Sequence, residues 1–173
     1  IYEYNKEENQ FLYLLLGKSI FCPGCHMVRS SAFLDVNPNR EIYEARRGQN
    51  WQMLLPVYYK YKRGFIDEPL YNYIIYKSSM STGDDTKEKS IQRVNEHLEI
   101  VKNTLDRIDM DQKDRNKYLE LFFTNYVVDR FDICMKYKDF KSGFKYYMKM
   151  LKRGAIRKYD TKSLIKVSFS KFI

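Results

Sequence analysis

Residues 21–29, FCPGCHMVR, put two thiols, an imidazole and a Pro-Gly bend within a few positions of one another. Cys22-Pro-Gly-Cys25-His26 has the letter pattern of a covalent haem attachment site. Its first four residues also match a dithiol redox pair. Each chemistry makes further demands. Haem attachment needs the His as axial ligand, usually a second axial ligand, and export to an oxidising compartment. A redox pair wants its first Cys at a helix N-terminus, where the dipole lowers the thiol pKa. The following HMVRSSAFL starts no clear helix at Cys22. A zinc site wants four ligands, and Cys22, Cys25 and His26 supply three. The remaining His97 and Cys134 lie far along the chain, each inside a helical pattern. The segment is therefore read as two small apolar thiols packed in or beside a strand, with Pro23-Gly24 marking a bend or bulge.

The elements that would position such groups follow from periodicity. KEENQFLYLLL, 6–16, reads as a helix, and Gly17 sits where a helix stops. Residues 19–29 read as a buried strand entering a turn, and SSAFLDVNP as a short helix or turn closed by Pro38. Gly48 to Lys62 has helical spacing, with Trp51, Leu54, Leu55 and Tyr58 on one side, and Pro56 is expected to kink or shift it. GFIDEPLYNYIIYK predicts two short strands, because Tyr71, Tyr73 and Ile75 alternate with Asn72, Ile74 and Tyr76. The polar SSMSTGDDT is a loop and a domain boundary. Beyond it the chain is helical. Ile91, Val94, Leu98, Val101, Leu105 and Ile108 make a heptad-like stripe. Further helices are predicted over 113–136 and 139–153.

One stretch differs in kind: RRGQNWQMLLPVYYKYKRGFIDEPLYNYIIYKSSMST. Gly48-x-x-Trp51 opens a helix, a turn follows, then Ile66-Asp67-Glu68-Pro69-Leu70-Tyr71 with Tyr73, then Ser79 and Ser81. This resembles the C-terminal half of the catalytic domain of bacterial family 2 glycosyltransferases, which have the GT-A fold. The upstream MVRSSAFLDVN also resembles the strand and turn that precede this segment in the family. The resemblance covers roughly residues 20–82. It implies an α+β chain: a C-terminal portion of a GT-A-like, Rossmann-like α/β domain over 1–85, followed by a helical extension over 86–173. The helical part carries no matched motif.

The resemblance also implies what this chain lacks. The nucleotide-binding sheet and the acidic motif gripping the divalent metal (Mg or Mn) and the diphosphate belong to the family's N-terminal half, and nothing here matches them. Asp84-Asp85 is a lone acidic pair in a polar loop and is not read as a metal ligand. With Ile1 in place of an initiator Met, a fragment of a longer chain is expected, silent without its donor-side half. In the family a Glu-Asp pair after the motif glycine supplies the base, whereas Gln49 and Asn50 stand here. An amide cannot take a proton at neutral pH, although it can hydrogen-bond sugar hydroxyls in both directions. The base is then another group such as His26, or lies in the missing half, or the protein binds glycans without transferring them. Arg47, Gln49, Asn50, Trp51, Ser79 and Ser81 are the substrate-binding candidates. Trp51 would stack on a sugar ring or fill the core. Tyr76 stands where the family often has His.

Composition sets the remaining bounds. The chain of 173 residues is 44% hydrophobic, enough for a real core, and three cysteines are too few for a disulfide framework. The net charge is +9, yet 136–173 alone carries twelve Lys or Arg against Asp139 and Asp160. The basicity belongs to the tail. There Phe140, Phe144, Met148 and Leu151 share one helical face and Lys141, Lys145, Lys149, Lys152 and Arg153 another. Such a tail seeks an anionic membrane, or is a helix packed on its own domain with a solvated basic face. The expected partners are thus a nucleotide-sugar, a glycan or lipid-linked acceptor, an anionic membrane surface through 136–173, and a second copy covering open strand edges. The expected location is cytoplasmic, peripheral at the inner face of the membrane. The rival class is a basic, non-catalytic module binding membrane or nucleic acid. The stacked-aromatic motifs of single-strand binders are not evident, so nucleic acid is not favoured.

Overall fold

The computed structural model describes residues 3–20, 23–72, 74 and 86–169. Every regular element among them is helical. A 3-10 turn at Glu3–Lys6 precedes α1 (Phe11–Leu15), and another at Pro23–Cys25 precedes α2 (Ser30–Val36). α3 (Gln49–Lys60), α4 (Lys87–Arg107), α5 (Gln112–Lys136), α6 (Phe140–Lys152) and α7 (Asp160–Phe169) follow.

The expected α+β architecture, with its GT-A-like sheet, is overturned: no described residue lies in a strand. The physical reason is pairing. A strand leaves its backbone donors and acceptors unmet unless a neighbouring strand takes them. The 19–29 run instead bends through the Pro23–Cys25 turn. The described part of the 63–77 run is irregular and is tied to the N-terminal segment by single bonds. The Arg63 amide donates to the Glu8 carbonyl at 2.9 Å, and Lys6 pairs with Asp67 at 3.1 Å.

The chain forms two compact units, one of residues 1–76 with 99–119 and one of 77–98 with 120–173. In the first, α1 and α2 pack on α3. Its core holds Phe11, Leu14, Leu15, Leu54, Leu55, Ile100 and Leu105. Phe11 meets the rings of Tyr59 and Tyr118 edge-on, at 5.2 and 4.8 Å between centroids. Gln10, fully buried, organises the approach to α1. Its amide donates to the Tyr4 and Glu7 carbonyls, and its oxygen accepts from Ser19 Oγ. α3 runs through Pro56 as one continuous helix. Of the heptad-like stripe, Val94, Val101, Leu105 and Ile108 are buried, and Ile91 and Leu98 half-buried. The chain therefore covers that stripe itself.

The second unit is centred on Val127, Phe131, Met150 and Leu164. Asp139 caps α6, accepting from the Ser142 amide at 3.1 Å and pairing with Lys87 at 2.6 Å. Arg157 is clamped between Asp132 and Asp160, fixing the start of α7 against α5. The spacing of α6 gave a face of Phe140, Phe144, Met148 and Leu151, but the buried side is Gly143 and Met150, flanked by the half-buried Tyr146 and Tyr147. Gly143 lets the end of the Met135 side chain come close to the α6 backbone.

Candidate functional site

The described motif blocks of the sequence, as far as Tyr71, lie within the first unit. α3 opens at Gln49, directly after Gly48, whose φ of +77° is left-handed. A Cβ on Gly48 would also lie 2.9 Å from Ile100 Cδ1. Backbone conformation and the packed Ile100 both demand glycine here. The first helical turn then places Gln49 outward and Asn50 and Trp51 inward.

Gln49 is exposed and its amide reaches the Arg46 carbonyl at 3.4 Å. Arg47 is half-buried and Asn50 buried. Trp51 is buried, and its indole N–H donates to the Leu14 carbonyl at 2.8 Å. The ring faces the core, as one of its two sequence readings has it. Gln52, fully buried, donates to the Tyr43 carbonyl at 3.0 Å. Ser79, Ser81, Tyr76, Cys22 and Asp84-Asp85 lie outside the described residues. So does most of the loop that the resemblance would set beside the acceptor.

Two contacts join the motif blocks to one another. The hydroxyl of Tyr58, on the last turn of α3, lies 3.0 Å from Nδ1 of His26. Nε2 of His26 is 2.8 Å from the Ile20 carbonyl, an acceptor only, so Nε2 carries the hydrogen and Nδ1 accepts from the Tyr58 hydroxyl. Burial lowers the imidazole pKa, and the Arg63 guanidinium acts in the same direction. Burial also pushes the Tyr58 phenol up. His26 is thus held neutral with both ring nitrogens engaged. The second contact lies between Gly24 and Tyr71: a Cβ on Gly24 would overlap the Tyr71 ring. Gly24 therefore allows the outer edge of the Tyr71 ring to approach the backbone of the Pro-Gly bend. Neither partnership is readable from the sequence, since 32 residues separate His26 from Tyr58.

The remainder of the FIDEPLY block is open to solvent. Ile66 is 67% exposed and Leu70 71%, and Ile74 is exposed as well. Arg63 anchors the block's start, donating to the Asn5 carbonyl and to Ser19 Oγ. The Cys25 thiol is exposed and Cys134 buried, where burial raises the thiol pKa. Among the described residues no three of His, Cys, Asp and Glu cluster so as to hold a metal ion. These residues give no seat for the Mg or Mn that the resemblance implies and assigns to the N-terminal half. Comparison with family models, with curated proteins and with solved structures found no match to this chain.

Proposed function

We propose that this chain is the acceptor-side part of an inverting, family 2-like glycosyltransferase, inactive without a nucleotide-binding half. The observation that carries the reading is the ordered run of motif blocks: Gly48-x-x-Trp51, then Ile66-Asp67-Glu68-Pro69-Leu70-Tyr71, then Ser79 and Ser81. Local geometry supports it in two ways. The first block coincides with a helix start that requires its glycine. The second is joined to the upstream block through Tyr71 and Gly24, and leaves Ile66, Leu70 and Ile74 uncovered, as a surface awaiting another part of a protein would be.

In the reaction, an acceptor hydroxyl of a glycan or lipid-linked saccharide attacks the anomeric carbon of a nucleotide-sugar. The carbon–oxygen bond to the nucleoside diphosphate breaks as the new one forms, and a base removes the hydroxyl proton. Gln49, exposed at the helix start, binds an acceptor hydroxyl. With both nitrogens of His26 engaged, the base is assigned to the donor-side half. A nucleotide-sugar donor places the reaction in the cytoplasm.

The test compares this chain alone with the same chain joined to a nucleotide-binding half. Calorimetry with UDP-, GDP- and dTDP-sugars, with Mg or Mn, is expected to show no binding to this chain alone. The joined protein is expected to turn one of them over, and Gln49→Ala to lower that turnover about tenfold, the cost of one lost hydrogen bond. Tight metal-dependent binding by this chain alone would count against the reading, as would a joined protein that binds no sugar nucleotide.

A further inference from the structure

We propose that the outward face of α6 docks on an anionic lipid bilayer. The proposal does not depend on the transferase reading. No helix among the described residues is long and apolar enough to cross a membrane, so a surface contact is the relevant mode.

The inward side of α6 is occupied, with Gly143 and Met150 against the core of the second unit. The outward side carries two rows. Phe144, Met148 and Leu151 recur at i, i+4 and i+7, so they form one ridge, and Phe144 is 50% and Leu151 55% exposed. Lys141, Lys145, Lys149 and Lys152 form the second row, all exposed. At about 100° per residue the rows lie roughly a quarter turn apart, so both meet one flat surface.

Charge selects the surface. α6 contains no carboxylate from Phe140 to Lys152. Among the described residues, the nearby acids are spent on other partners: Asp139 on Lys87, Glu120 on Arg153, and Asp132 and Asp160 on Arg157. No described carboxylate forms an ion pair with Lys141, Lys145, Lys149 or Lys152. The Lys149 ammonium lies over the Tyr146 ring, 5.2 Å from its centroid. The lysine row is left for an external anion. A nucleic acid would use the lysines and leave the ridge in water. Anionic headgroups beside acyl chains use both rows.

The experiment is vesicle co-sedimentation of the full chain. Binding to phosphatidylcholine vesicles carrying phosphatidylglycerol is expected to exceed binding to pure phosphatidylcholine by at least about tenfold, and to weaken with added salt. Lys145→Gln/Lys149→Gln is expected to lose about tenfold, and Lys102→Gln/Lys113→Gln, an equal charge change elsewhere, to lose little. Phe144→Ser/Leu151→Ser is expected to lose a similar factor at unchanged charge. These side chains are exposed, and an unchanged circular dichroism melt confirms folding. Should a variant not fold, Phe144→Lys alone replaces it: under simple charge attraction it binds more tightly, under ridge insertion less. Equal binding to both vesicle types overturns the proposal. So does indifference to loss of the ridge, or retention by RNA with none by vesicles.

Discussion

The Tyr58 hydroxyl hydrogen-bonds to Nδ1 of His26 at 3.0 Å while Nε2 donates to the Ile20 carbonyl at 2.8 Å. In the neutral tautomer both ring nitrogens are engaged; a proton added at Nδ1 reverses the Tyr58 bond, whose hydroxyl oxygen then accepts, and charges a half-buried group beside Arg63. The folded-state pKa is lowered from 6.5, first by burial.

The pH dependence follows in sign. Below 6.5 the unfolded chain takes up a proton at His26 that the folded chain resists. His26 therefore favours folding fully above about pH 6.5, and that contribution is lost as pH falls through the lower folded value. Urea midpoints by circular dichroism at pH 7.5 and pH 5.5 are expected to drop for the wild type, and to drop less for His26→Gln. Asp129 works against this trend. The surrounding protein and then Asp132 push its pKa up to about 6, so its contribution is lost as pH rises. Asp129 keeps solvent exposure, so its effect is small. A wild-type drop no larger than that of His26→Gln would show that the imidazole is not held as described.

Gly48→Ala is expected to destabilise the first unit by about 1–3 kcal/mol, combining a left-handed backbone with a new Cβ 2.9 Å from Ile100 Cδ1. The two causes separate in a double-mutant cycle with Ile100→Val, which removes that methyl. The cycle is expected to recover the packing part and leave the backbone part. Strict additivity would mean that Ile100 is not the neighbour that matters.

Asp139→Ala is expected to cost about 1–2 kcal/mol, because it removes the α6 cap and the Lys87 partner together. Asp139→Asn should recover part, since an amide oxygen can still cap. The lowered pKa of Asp139, about 2 against 3.8, is due first to Lys87. Its contribution is present above pH 3.8 and is lost as pH falls through about 2. Acid titration followed by circular dichroism should show that limb in the wild type and not in Asp139→Asn.

The helices were legible to different degrees for definite reasons. α4 is long and periodic and α5 is long with its apolar residues spread more widely, and their sequence boundaries fall within a few residues of the observed ends. Among the residues of α7 whose burial is described, Leu164 and Val167 are the buried apolar positions, so its sequence pattern is faint. The alternation around Tyr71 predicted strands, but none of the described residues of that run, 63–72 and 74, lies in one. Alternation says which side chains share a face, and says nothing of whether a second strand exists to pair with. In α6 the apolar spacing left two readings open, a face laid on a membrane or a helix packed on its own domain, and in the structure Phe144 and Leu151 face outward. At the candidate site, Gly48 and the helix start were readable. The Tyr58–His26 bond and the Tyr71–Gly24 contact were not, because both join residues far apart in sequence.

The indole of Trp51, hydrogen-bonded to Leu14 in the first unit, is the chain's single tryptophan. Its emission, excited apart from the tyrosines, monitors melting of that unit without contribution from the other. Far-ultraviolet dichroism averages both. Superimposed on one temperature axis, the two signals tell whether the units let go together or in succession.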